Sequence, residues 1–231
     1  MRKTGFAILL SALAACVPVV PVPDASLDPL QSRARSAALR FLEVVATVEP
    51  VAERICRAKG IARTCDFRIV VDDRPGQPPN AFQTLDRTGR PVIGFTLSLI
   101  ADARNADELA FVLGHEAAHH IAGHLAQQRE EALSGALQAG MLAEAGGLSP
   151  AQIEAAQQLA AALAVRSYSK QFELEADALG AEIAFVAGFD PISGSGFFDR
   201  LPDPGDRFLG SHPPNAQRKA LVVATVRSLD G

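Results

Sequence analysis

The chain has no tryptophan, one tyrosine and three cysteines in 231 residues, and it lacks any excess of positive charge. Lysine and arginine number 22 against 26 acidic residues, for a formal net charge of -4 and a pI near 5.7. No basic stripe is interleaved with aromatics, which excludes the electrostatic footprint of a nucleic-acid partner. The same balance offers no polybasic route to an anionic membrane. Long apolar runs are missing as well. Phe6 to Ala15 is too short for the roughly 20 residues a spanning helix needs, and Gln157, Gln158 and Arg166 confine the apolar stretch Ala155 to Val165. No internal repeat is evident. What remains, 48% hydrophobic and 21% charged, is a globular composition whose length suits one domain with short appendages.

The N-terminus separates from that domain. Arg2 and Lys3 form a positive region, Phe6 to Ala15 an apolar one, and Leu13-Ala14-Ala15-Cys16 resembles a bacterial lipobox, in which the cysteine is acylated and the chain cut just before it. An ordinary signal peptide cut nearby is the alternative. The reading is a lipoprotein signal over residues 1–15, a lipidated Cys16 with a proline-rich tether over 16–29, and a folded domain over 30–231. Val17 follows the cysteine in place of the aspartate that retains many lipoproteins at the inner membrane. By resemblance this favours the periplasmic face of the outer membrane of a diderm bacterium. In that oxidising compartment Cys56 and Cys65 are expected to form a short-loop disulfide, with two buried thiols as the alternative. They lack the tight spacing and second pair of a structural zinc site.

Within the domain, Arg35 to Arg57 reads as a helix with Leu39, Leu42, Val45 and Val48 as its apolar stripe, and Pro50 is expected to kink or break it. Phe67 to Val71 reads as a strand, and Ala81 to Thr84 with Pro91 to Phe95 as a hairpin around Asp86-Arg87-Thr88-Gly89. Asn105 with Glu108 looks like a capping box opening a helix expected to run through His124. Ser149-Pro150 opens another, interrupted or not, that carries to Gly188. The fold expected is α+β and mostly helical, with a small sheet.

His115-Glu116-Ala117-Ala118-His119 matches H-E-x-x-H. Residues four apart on a helix differ by about 40° around the axis, so both imidazoles face one side and can share one metal ion. Glu116 beside them is placed to take a proton from a water activated by zinc, which also polarises a scissile carbonyl. On the same regular helix His120 lies roughly 140° and His124 roughly 180° from His115, so both read as surface or hydrogen-bonded structural histidines. The longer metzincin pattern fails at Ala122 and Leu125, so a third ligand must come from elsewhere. In Tyr168 to Asp177, Glu173 and Asp177 share a helix face while Glu175 points roughly opposite. Glu173 is the natural third ligand, and Asp177 the acceptor that orients a ligand histidine.

With HEAAHH followed by YSKQFELEAD, the chain resembles the gluzincin metalloproteases that include HtpX and the CaaX prenyl proteases, and in layout the Oma-like and BepA-like members most. Lys170 stands where that family carries arginine, a mild departure. The resemblance spans roughly residues 30–220. It implies a zincin-type protease domain built on the HExxH helix, with one Zn2+ and a protein or peptide substrate. It implies that Asn80-Ala81-Phe82 opens an active-site edge strand where substrate can pair. It also implies, from His212-Pro213 and Arg218, that His212 approaches the zinc or the oxyanion and that Arg218 supports the site. The function expected is a lipid-anchored endopeptidase acting on misfolded or envelope proteins. The competing reading is a chaperone-like or binding lipoprotein whose metal site is locked by His212. No tetratricopeptide-repeat segment follows in these residues, so substrate selection is expected from a protein partner or from the cleft.

Overall fold

The computed structural model describes residues 28–202 and 213–230. The expectations for the signal, for Cys16 with its tether as far as residue 27, and for His212 fall outside these residues. Helix α1, Pro29–Lys59, starts where the Asp28 carboxylate accepts from the backbone N–H groups of Leu30 and Gln31 and ends at Gly60, whose φ of 66° suits the left-handed cap. It runs unbroken through Pro50. A proline inside a helix costs about 3 kcal/mol, but the helix buries Phe41, Val44, Val48 and Val51 on both sides of it, at about 1.5–3 kcal/mol each. Burial decides. The apolar stripe also differs from the expected one, since Leu39 and Leu42 are 56% and 61% exposed. Steps of three residues drift by about 60° each around a helix, whereas the buried Ala37, Phe41, Val44, Val48, Val51 and Ala52 alternate threes and fours and stay on one face.

Three strands follow, β1 Arg68–Asp72, β2 Ala81–Leu85 and β3 Pro91–Thr96. Their order is β1-β3-β2, with β3 parallel to β1 and antiparallel to β2. Central β3 buries Ile93 and Phe95 completely, and β1 and β2 are the sheet's two edges. The turn between β2 and β3 is held by Asp86, whose carboxylate accepts from the N–H groups of Thr88 and Arg90, and by Gly89 at φ 83°.

Helix α2 covers Leu97–Asp102 and α3 covers Ala106–Ile121. Asn105 caps α3 by accepting from Glu108 N–H, but the Glu108 carboxylate accepts from Arg104 N–H, so the reciprocal bond is shifted by one residue. Nearly every side chain of α3 from Glu108 to Ala118 is buried against α1, the sheet and α5. The helix stops at Ile121 instead of His124, because Gly123 at φ 75° turns the chain into α4, His124–Ala145. Helix α5, Pro150–Val186, is one uninterrupted rod opened by Ser149, whose N–H donates to the Gln152 side chain. Its first half packs along α4 as a hairpin and its second half crosses α3. Short α6, Pro191–Gly194, a 3-10 turn at Ser195–Arg200 and α7, Asn215–Leu229, complete the described residues. Among them no helix is long and apolar enough to cross a membrane.

Candidate metal centre and cleft

Helices α3 and α5 touch at two glycines. A Cβ on Gly114 would lie 2.6 Å from the Gly180 carbonyl oxygen, and one on Gly180 would lie 2.7 Å from His115 N. Only hydrogen fits there. This approach sets His115 and His119 of α3 against Glu173 and Asp177 of α5. His115 Nε2 and His119 Nε2 are 3.1 Å apart, and Glu173 reaches them with Oε2 at 3.6 Å and Oε1 at 3.4 Å. Zinc bonds of about 2.0–2.1 Å in a tetrahedron place neighbouring ligand atoms roughly 3.3–3.4 Å apart, so the three side chains fit that ion without rearrangement. They form the group of metal-ligating side chains found among the described residues.

The two histidines are backed differently. His115 Nδ1 lies 3.0 Å from Asp177 Oδ1, a close contact though poorly aligned as a hydrogen bond. Asp177 is fully buried and pairs with both Nε and Nη2 of Arg218 at 2.7 Å, while Arg218 Nη2 also reaches Glu173 Oε2 at 3.3 Å. Arg218 itself lies over the Phe198 ring, 4.0 Å from its centroid. Burial alone would depress the His115 pKa, but the Asp177 contact and the nearby carboxylates raise it above 6.5.

His119 Nδ1 instead meets His124 Nδ1 at 2.9 Å, and His124 Nε2 lies 3.3 Å from Glu175 Oε2. His124 is thus a hydrogen-bonded structural histidine, as expected, and neither it nor Glu175 joins the ligand group. The regular-helix estimate did not place it against the back of His119, however; the break at Gly123 swings His124 back over His119 and toward Glu175. The left-handed glycine inside an apparent helix was the available signal. Burial and His119 hold the His124 pKa below 6.5. His120 also behaves as a structural residue, with Nε2 2.6 Å from Thr64 O and its ring edge-on to Phe67. Beside it Cys56 and Cys65 are joined in a disulfide.

Glu116 projects from α3 into a cleft of about 390 Å³. Burial raises its pKa above 4.5. One wall is the edge strand, through Asn80, Ala81 and Gln83, and the other is Phe197, Phe198 and Leu201 of the 3-10 segment. Arg200 ties that segment to α3 by gripping buried Glu108 with two bonds of 2.7 Å, a pair that no local pattern in the sequence announces. Asn80 O accepts from Thr96 N–H and Asp86 N–H donates to Arg90 O, so even-numbered residues of β2 turn their backbone toward β3. Ala81 and Gln83 therefore turn theirs outward. The Phe82 ring lies away from the cleft and covers Gly94, 2.3 Å from where a Cβ would stand. Alternation along a strand puts it on the opposite face from Ala81.

A sequence model of peptidase family M48 matches residues 40–225. The chain belongs to that family. M48 peptidases are zinc-dependent in general, and the group formed by His115, His119 and Glu173 has the chemistry for that ion. Over 126 residues the chain is 32% identical to a protein of Vibrio cholerae serotype O1 named as a beta-barrel assembly-enhancing protease. That match covers 50% of this M48 chain and 25% of the relative, so the chain spans about a quarter of the relative's length.

Proposed function

We propose that the chain is a zinc-dependent endopeptidase that hydrolyses unfolded or misfolded proteins at the bacterial envelope, anchored there by lipid on Cys16. The observation that carries this reading is the placement of Glu116 on the cleft floor, between the His115, His119 and Glu173 group and an edge strand with outward backbone groups. Zinc, when bound, would supply a Lewis acid for the scissile carbonyl and lower the pKa of an attacking water. Ala81 and Gln83 would pair with an extended substrate through their outward N–H and C=O groups, which favours a peptide lying across the site over one held by its terminus. Glu116 takes the proton from the attacking water and returns it to the leaving amine. Burial, which raises its pKa above 4.5, favours uptake of that proton. Arg218 offsets the charge of Asp177 and Glu173 behind the ligands. The name of the Vibrio relative and the lipobox-like Leu13 to Cys16 support envelope proteins as the substrate class.

Glu116→Gln is expected to retain zinc while cleavage of unfolded casein falls about 10²- to 10⁴-fold. Full activity in that variant overturns the mechanism. Anchoring is tested by the mass of the exported chain, where the lipid increment should vanish in Cys16→Ser.

A further inference from the structure

We infer that His124 is a positioning residue for the metal centre: its Nδ1 accepts the hydrogen bond that holds His119 with Nε2 turned to the metal, and Glu175 fixes His124 in turn. The inference rests on the zinc-peptidase reading above and adds a residue to it. His119 Nε2 faces Glu173 Oε1 at 3.4 Å and His115 Nε2 at 3.1 Å, while its Nδ1 lies 2.9 Å from His124 Nδ1. A metal takes the imidazole nitrogen that carries no proton, so the His119 proton belongs on Nδ1. Two facing ring nitrogens can bond only if one is bare. His124 Nδ1 is then the acceptor, its own proton sits on Nε2, and Glu175 Oε2 at 3.3 Å receives it. Each ring's tautomer is dictated by the next group outward.

Packing alone does not explain this arrangement. His124 is 1% exposed and stacks on Phe172 with centroids 4.4 Å apart and planes at 18°. Any flat or branched apolar side chain would fill that place; only a hydrogen-bond acceptor would serve the back of His119. The backbone is also bent to deliver it. In an unbroken helix His124 would lie roughly 140° around the axis from His119. Gly123 at φ 75° removes that displacement, and with nothing closer than 3.9 Å to a Cβ there, the conformation and not space requires glycine. A neutral imidazole behind His119, where His115 has a carboxylate, leaves His119 the weaker donor.

The test uses the full chain, stripped of metal and titrated with zinc against a chelating indicator, and in parallel loaded with cobalt(II) for its visible spectrum. His124→Leu keeps apolar contact with Phe172 but has no acceptor, whereas His124→Gln offers a carbonyl oxygen to His119. The Leu variant is expected to bind zinc about 10- to 100-fold more weakly and to shift the cobalt absorption bands. The Gln variant should recover most of both. Wild-type zinc affinity and an unchanged cobalt spectrum in the Leu variant would overturn the inference alone. So would equal losses in Leu and Gln, the pattern of a packing role. A wild-type chain that takes up no stoichiometric zinc would overturn the metal-centre reading itself, and this one with it.

Discussion

Behind His115 stands a closed and charged assembly, Asp177 at 0% exposure locked by both arms of Arg218 at 4%. Behind His119 stands an open and mostly neutral one, a buried histidine that ends at Glu175, whose side chain is 53% exposed. The first draws on three elements, α3, α5 and α7, and makes the ligand part of the core. The second also spans three elements, α3, α4 and α5, but it hangs on the break at Gly123 and reaches solvent within two groups. A buried ion pair that loses one partner leaves an uncompensated charge, whereas an exposed carboxylate is replaced by water at little cost. The two histidines thus sit on unequal foundations, one backed by a buried ion pair and the other by a buried histidine that ends at an exposed carboxylate.

Arg218→Met should bring out that inequality most strongly. It strands Asp177 and is expected to destabilise the metal-free protein by about 3–5 kcal/mol in urea denaturation. Adding Asp177→Asn should restore part of the loss, because no buried charge then remains unpaired. Gly123→Ala attacks the other side and should cost about 1–2 kcal/mol from left-handed backbone strain. It should weaken zinc binding in the same assay as His124→Leu; intact binding would mean that His124 reaches His119 without the turn.

Glu116, between the two supports, gives a pH signature. Burial lifts its folded pKa above 4.5, so the folded metal-free chain holds this proton more tightly than the unfolded chain does. That stabilisation is full below 4.5 and is lost as pH rises through the folded value. Glu116→Gln should therefore raise the melting temperature of the metal-free protein near neutral pH, with the gain shrinking toward zero by about pH 4. Equal gains at both pH values would place the effect elsewhere. Glu175→Ala should be the mildest, with zinc affinity falling less than about tenfold, since water can take over an exposed acceptor.

How far the sequence announces this site depends on how local each part is. His115, Glu116 and His119 share one helix turn, and Glu173 with Asp177 share another, so helical periodicity alone brings out both sets. The sheet hairpin is equally local, because Asp86 and Gly89 carry its turn in their residue types. His124 is hidden by the same reasoning that reveals His119: the periodicity holds only while the helix does. The buried face of α1 is misread where regular threes look like a stripe, since two leucines are left outside and a phenylalanine taken in. Pairs such as Arg200 with Glu108 lie 92 residues apart and leave no pattern at all.

The glycine contact between Gly114 and Gly180 has a further consequence for how such a domain can be altered. Everything between the two ligand-bearing segments, α4 and the first half of α5, forms a hairpin that leaves the centre and returns to it. Beyond the first turn of α4, where His124, Leu125 and Gln128 line the cleft, its length is not tied to the site, because the glycine crossing and the Asp177–Arg218 pair hold the two segments together. Whole helical turns can be added to or removed from both arms together, or a foreign module spliced at Gly146-Gly147, while the ligand atoms keep their separations. The hairpin is a port at which new recognition surfaces can be grafted without retuning the chemistry.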